Sequence, residues 1–251
     1  KGGAMKLTEN IHIVGGGLMG FGLSHPGDCH VYAATDGEET ALIDAGVGIE
    51  PERIVANVEA DGIDPDTVKY LILTHCHGDH AGGAAYLRKQ YRLEVIAPVD
   101  TRVWLETADE DATNLARARE AGRYPTSYRL EPVAVAREVD EGEEIRVGNL
   151  RLYTLSTPGH AARHMSYILE ADDKKYLFGG DLVFTGGLVV LNWAEETSVF
   201  ELGTSITRFR DAGIDALLPG HAAIALENGQ AHIDKAIAKF DSLTVPRNMM
   251  E

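Results

Sequence analysis

The chain has 251 residues, 44% apolar and 25% charged, the balance of an ordinary globular protein with enough apolar material for a substantial core. Asp and Glu outnumber Lys and Arg by 39 to 23, a formal net charge of −16 that opposes a polyanion at long range and argues against nucleic acid as a substrate. No apolar stretch approaches the roughly twenty residues of a membrane span, the N-terminus has no charged-then-apolar signal pattern, and two cysteines make no disulfide framework, so a cytoplasmic protein is expected.

Residues 1–4, ahead of Met5, read as an expression-tag remnant, and residues 5–251 as a single domain, because no Pro/Ser-rich or low-complexity stretch divides them. Short strands are predicted at 11–14, 29–33 and 40–43. Residues 51–60 follow with Pro early, acidic residues in the first turn and apolar Ile54, Val55 and Val58, which predicts a helix. A strand at 68–73 precedes a helix at 81–89. Later strands are predicted at 93–96, 150–155, 165–169, 175–178 and 216–218, and helices at 106–120, 198–211 and 229–243.

Gly15-Gly16-Gly17-Leu18-Met19-Gly20 satisfies the Gly-x-Gly-x-x-Gly dinucleotide pattern after a strand, but the following Phe21-Gly22-Leu23-Ser24-His25-Pro26-Gly27 does not supply the helix that pattern needs. A Gly-rich hairpin loop is the expected form.

Thr74-His75-Cys76-His77-Gly78-Asp79-His80 places three imidazoles and a carboxylate within six positions, directly after the apolar strand at 68–73. Further on stand Thr157-Pro158-Gly159-His160, then Gly179-Gly180-Asp181, then Pro219-Gly220-His221, each where a short apolar strand runs into a Gly-containing turn. Strand ends of this kind are expected to deliver all of these groups to one edge of a sheet. Neutral imidazole and carboxylate suit zinc, with manganese, iron, nickel or cobalt as alternatives, whereas a structural zinc or an iron-sulfur cluster calls for thiolates. Five imidazoles (His75, His77, His80, His160, His221) and two carboxylates (Asp79, Asp181) suffice for two divalent ions sharing one carboxylate. Such a pair can hold a hydroxide at neutral pH, which makes the set hydrolytic.

In these motifs, spread over residues 42–221, the chain resembles the metallo-β-lactamase-fold superfamily, whose signature is His-x-His-x-Asp-His followed by a separate His, Asp and His. The resemblance implies a four-layer αβ/βα sandwich with the metal site where the two sheets meet. It implies His75, His77 and His160 as ligands of the first metal, Asp79, His80 and His221 as ligands of the second, and Asp181 as the bridge. Leu42-Ile43-Asp44-Ala45-Gly46 is similar to the Asp-x-Gly turn near the start of this fold, where Asp44 supports the metal loop from behind its ligands. Cys76, between two ligands, is expected to point away from the metals as a small buried side chain, with thiolate ligation the alternative. His164, four residues beyond His160, is expected to support the site rather than bind metal, since both metals already have full complements.

The family places substrate-shaping insertions between the metal loop and the next ligand, here residues 101–130. Trp104, Tyr124 and Tyr128 in that stretch either line a pocket or pack the insert onto the body. In this fold the Gly-rich loop can overhang the active site, and Leu18, Met19 and Phe21 would then offer apolar contacts.

The implied reaction is attack of a metal-bridging hydroxide on an electrophilic carbonyl, with Asp79 orienting the hydroxide and accepting its proton. Antibiotic-hydrolysing members generally lack the bridging carboxylate that Asp181 resembles. Full-length glyoxalase II enzymes add a helical C-terminal domain, flavodiiron proteins add a flavin domain, and persulfide dioxygenases carry Gly-Arg-Thr-Asp where this chain has Phe178-Gly179-Gly180-Asp181. A small carboxylic ester or lactone is therefore the expected substrate, with a short glyoxalase II-like thioesterase, a phosphotriesterase and a mononuclear iron persulfide dioxygenase as alternatives. A homodimer is compatible with this reading, and neither nucleic acid nor a membrane is expected as a partner.

Overall fold

A computed structural model describes residues 5–191 and 196–250. The expected tag remnant at 1–4 lies outside the described residues. The chain divides into two compact units, one running to Val139 and including Arg146–Asn149, the other comprising Asp140–Ile145 and the chain from Leu150.

The first unit begins with β1 (Met5–Lys6), β2 (Ile11–Gly15), β3 (Val31–Thr35) and β4 (Thr40–Ile43), antiparallel neighbours in that order. After helix α1 (Glu52–Ala60) the chain returns as β5 (Val68–Ile72), parallel to β4. Two helices, α2 (Gly78–Ala81) and α3 (Ala84–Tyr91), lead to β6 (Glu94–Pro98), and α4 (Arg102–Glu106) and α5 (Leu115–Glu120) lead to β7 (Arg137–Val139). The seven strands lie in sequence order in one sheet, parallel from β4 onward. Strands β2, β3 and β4 are buried at every position, which explains why they read as near-continuous apolar runs rather than alternating ones. Leu42 pairs with Leu71 and Leu71 with Val95, and these residues join Ile54 and Val58 of α1 and Leu87 of α3 in one core. Asn57, the polar residue on the buried face of α1, donates to the carbonyls of Val14 (2.8 Å) and Leu23 (3.0 Å), so its burial leaves the amide satisfied.

The second sheet has the order β12-β11-β10-β9-β8, built from β8 (Glu144–Val147), β9 (Leu150–Ser156), β10 (Met165–Ala171), β11 (Lys174–Gly180) and β12 (Ala216–Pro219). Helices α6 (Val199–Thr207) and α7 (Gly229–Asp241) bury Leu202, Ile206, Ile233 and Ile237 with Leu177 and Leu217 of this sheet. Ser198 caps α6 by accepting from Glu201 N (3.2 Å), the Ser-x-x-Glu arrangement of a helix start.

Most predicted elements stand within a few residues of the sequence expectation, and four differences have physical reasons. The strand expected at 29–33 starts at Val31, because Cys29 N donates to Asp79 O (3.3 Å) instead of entering the ladder. The helix expected at 81–89 is two pieces, the chain turning over Gly82-Gly83, where Gly83 N donates to Gly46 O (3.0 Å). The helix expected at 106–120 is also broken: Asp109 accepts at its side chain from Asp111 N (3.1 Å) and Ala112 N (3.0 Å), and Ala108 and Asn114 take positive φ. Short polar side chains that bond the local backbone compete with the helical ladder in this way. The strands β1, β7 and β8, unpredicted, are two to four residues long and carry charged residues, so they offer little apolar periodicity.

The expectation that strand ends deliver every candidate ligand to one sheet edge is corrected. Asp44 and residues 75–80 follow the parallel strands β4 and β5, on one edge of the first sheet. In the second sheet β9 and β11 both run antiparallel to β10, and β12 runs parallel to β11, so His160, Asp181 and His221 follow strands that end at one edge there. The candidates therefore stand at two edges, one in each sheet. The register of β11 against β12 shifts between Phe178 and Gly180, a bulge that re-aims the chain just before Asp181.

Candidate metal centre

Beyond β5 the loop is held by Asp44, which has φ of 62° at the end of β4 and is buried. Its Oδ1 accepts from Thr74 N (2.8 Å), and its Oδ2 lies 2.9 Å from Thr74 Oγ1 and 2.8 Å from His80 Nδ1. A carboxylate only accepts here, so His80 carries its proton on Nδ1 and keeps the Nε2 lone pair. Thr74 relays the same logic. Its hydroxyl donates to Asp44 and therefore accepts from His75 Nδ1 (3.0 Å), which leaves the Nε2 lone pair of His75 open for ligation.

His75 Nε2 and His77 Nδ1 are 3.2 Å apart, with the rings at 79° to each other. With its proton on Nε2, His77 would offer at Nδ1 a second lone pair beside that of His75 Nε2, a donor pair that fits a divalent ion. Asp79 Oδ2 is 3.9 Å from His80 Nε2, and Asp79 Oδ1 accepts from Tyr124 Oη (3.3 Å). Burial, followed by the Asp79 charge, holds the Tyr124 phenol well above its ordinary pKa, so it is a neutral donor.

Cys29, Asp44 and His80 also bring potential ligand atoms within 4.8 Å of one another. Burial pushes the Cys29 thiol up to about 12, and His80 Nδ1 is engaged with Asp44, so this group packs behind the loop rather than binding an ion. Cys76 is buried within the first core, in keeping with a small packed side chain.

In the second unit Asp181 Oδ2 lies 3.4 Å from His160 Nε2 and 3.7 Å from His221 Nε2. All three side chains are buried. His164 is engaged at both nitrogens: Asp181 N donates to Nε2 (3.1 Å), and Nδ1 lies 2.8 Å from Thr157 Oγ1, which lies 2.9 Å from Ser166 Oγ. An imidazole accepting at Nε2 is protonated at Nδ1, so His164 retains no lone pair for a metal and instead holds the backbone at Asp181.

The remaining candidates fall in the first unit. Tyr128 Oη donates to Val47 O (2.5 Å), its ring lies 5.2 Å from that of Tyr124, and it lines a cleft of about 420 Å³ with Gly48, Pro51, Gly82, Tyr86 and Arg129. Trp104 packs against the first core, and neither it nor Tyr124 lines that cleft. The Gly-rich segment is a looped excursion between β2 and β3, tied by Gly17 N to Asp28 O (3.0 Å) and Leu23 N to Gly16 O (2.7 Å), and no helix follows it. Leu18 is 80% exposed, Met19 and Phe21 about half that, and Phe21 stacks on His30 with ring centres 5.2 Å apart. A Cβ on Gly20 would lie 2.1 Å from His30 Nε2, so the glycine there is a matter of space.

Sequence reasoning missed Thr74, Thr157, Ser166 and His30. The first two had a signal, since each directly precedes or opens a ligand turn. His30 and Ser166 had none, because the packing of the Gly-rich loop sets the partner of the first and strand pairing that of the second.

The sequence profile of the metallo-beta-lactamase superfamily matches residues 25–225, and this chain belongs to that superfamily. Solved structures share its fold. A Cronobacter sakazakii metallo-beta-lactamase with a HARLDQ motif aligns with 96% of this chain and 93% of its own, at TM-score 0.72 and 22% identity. A B3 metallo-beta-lactamase with an active-site glutamic acid aligns over 95% and 89%, at TM-score 0.71 and 20% identity. The expected α/β fold with two sheets is borne out by these likenesses. Among curated relatives, hydroxyacylglutathione hydrolase of Rhodopseudomonas palustris (strain BisB5) is 34% identical over 148 residues, 59% of this chain and 44% of that protein. Beta-lactamase-like protein 2 homolog of Caenorhabditis elegans is 25% identical over 212 residues, 84% of this chain and 59% of that protein. The chain thus spans about half the length of the curated relatives it matches. Among the described residues no helix is long and apolar enough to cross a membrane.

Proposed function

We propose that this chain is a metal-dependent hydrolase of small carboxylic acyl compounds, with residues 5–251 working as one domain around two divalent ions, zinc first among the candidates. In this reading His75, His77 and His160 hold one ion, Asp79, His80 and His221 hold the other, and Asp181 serves both. One observation carries it: a single oxygen of Asp181 stands 3.4 Å from His160 Nε2 and 3.7 Å from His221 Nε2, so one carboxylate addresses imidazoles assigned to different ions. When bound, such ions supply Lewis acidity toward a carbonyl oxygen and a water acidic enough to ionise near neutral pH.

The chain's own groups do the rest. Asp44 and Thr74 hold His80 and His75 in the tautomers that present Nε2. Asp79, with a carboxylate oxygen 3.9 Å from His80 Nε2, accepts a proton and orients the attacking group. His164 fixes the backbone from which Asp181 projects. Leu18, Met19, Phe21, Tyr124 and Tyr128 offer substrate contacts, and the insert at 101–130 shapes them.

For the scissile bond, the thioester leads, because a relative named hydroxyacylglutathione hydrolase is 34% identical over 148 residues. An ester or lactone carbonyl presents the same electrophile to the same donor set and is the second reading. The test is metal-stripped protein reloaded with zinc or manganese and assayed on thioesters, aryl esters, lactones, phosphotriesters and β-lactams. Two bound equivalents with turnover of the acyl compounds is expected. A single tightly held iron with oxygen consumption would replace hydrolysis by dioxygenation.

A further inference from the structure

We propose that Tyr124, supplied by the insert, is a positioning residue for Asp79 that fixes the plane of its carboxylate. The inference rests on the reading of Asp79 as a metal ligand and goes beyond it by assigning the group that sets its rotamer.

The insert is closed on itself before it reaches the loop. Arg119 and Glu110, both partly buried, pair at 2.7 Å, Arg119 also donates to Tyr128 O (3.0 Å), and Glu110 accepts from Leu130 N (3.3 Å). Tyr128 ties the same segment to Val47 O, three residues beyond Asp44. On that footing Leu115 and Tyr124 sit directly over Gly78, the residue between His77 and Asp79. A Cβ there would lie 3.1 Å from Leu115 Cδ1 and 3.4 Å from Tyr124 Cζ, so the glycine lets the ring come close.

From that seat the Tyr124 hydroxyl reaches Asp79 Oδ1 at 3.3 Å, while Oδ2 is the oxygen nearer His80 Nε2, at 3.9 Å. The two oxygens of a carboxylate are equivalent, so a phenol donor on one of them does not choose between them but restricts rotation about the Cβ–Cγ bond and thereby fixes the direction of the other. The donor and the carboxylate are 45 residues apart in the chain. The segment that shapes substrate binding is thereby joined to the ligand geometry of the second ion.

Tyr124→Phe tests this, since the ring still covers Gly78 and only the hydroxyl is lost. Stepwise zinc binding to metal-free protein, read by equilibrium dialysis, should show one constant unchanged and the other weaker by about 10-fold to 100-fold, the usual effect of removing a partner behind a ligand. The visible spectrum of the cobalt-loaded variant should change, and kcat should fall. Unaltered zinc constants and cobalt spectrum would overturn the proposal, whatever happens to thermal stability. If the wild type binds two ions but hydrolyses no acyl compound, the hydrolase reading fails and the zinc constants still decide the role of Tyr124. A wild type that takes up one equivalent sinks both.

Discussion

Asp44 Oδ2 lies 2.8 Å from His80 Nδ1, in a pair of side chains that are both buried. The contact fixes the imidazole tautomer. Asp44→Asn keeps a residue type that tolerates the φ of 62° and can still accept from Thr74 N, but turns its amide toward His80 and favours the proton on Nε2. The expected result is a loss of about 10-fold to 100-fold in affinity for one metal equivalent with the fold retained, measured by metal analysis and circular dichroism. Full metal content would remove Asp44 from the site's support.

Asp181 stands between two imidazoles, so Asp181→Asn should lower occupancy of both ions and collapse turnover. His221→Ala, by contrast, should cost mainly one equivalent. Stoichiometry across the two variants separates a shared carboxylate from one that serves a single ion. Near-normal content in Asp181→Asn is the outcome that rejects the bridge.

His164→Ala leaves Asp181 N and Thr157 Oγ1 without the imidazole each now bonds. A buried polar group stripped of its partner costs about 1–3 kcal/mol, so the denaturant midpoint should drop while two metal equivalents are retained. Loss of a full equivalent would instead make His164 a ligand.

The aromatic residues of the insert should separate by role. Trp104 packs on the first core, so Trp104→Ala should lower thermal stability, by less than the ~3–5 kcal/mol of a fully buried ring, and leave the substrate profile alone. Tyr128 lines the cleft, and Tyr128→Ala or Leu18→Ser should raise KM for bulky acyl substrates with kcat held, as loss of uniform binding does. A selectivity change in Trp104→Ala would reverse the assignment.

Alkaline stability has a defined sign. Burial raises the folded-state pKa of Cys29 from an ordinary 9.0 to about 12, so its contribution is whole below about pH 9 and is lost as pH climbs toward 12. Burial raises the Tyr32 phenol too, with the same sign at higher pH. Native protein at pH 8 should therefore resist iodoacetamide at Cys29 and react after unfolding, and Cys29→Ala should flatten the stability curve above pH 9. Rapid native alkylation would contradict this.

The candidate ligand set was legible in the chain because it is local or marked by local chemistry: His75, His77, Asp79 and His80 share one loop, and His160, Asp181 and His221 each follow an apolar run that ends in a glycine turn. The longer strands and most helices were legible too, since apolar runs and Pro or Ser at helix starts are written within a few residues. The broken helix at 106–120 was not, because Asp109 chose to bond its own neighbours and composition does not show which way that competition ends. Nor was the division of the ligands between two sheet edges, which strand order and direction decide. The tautomers of His75 and His80, the employment of His164 and the reach of Tyr124 to Asp79 are likewise tertiary facts. Each depends on a hydrogen bond whose partner is placed by sheet register or by packing of a distant segment, and no spacing within the sequence encodes a contact between residues 44 and 80 or 79 and 124.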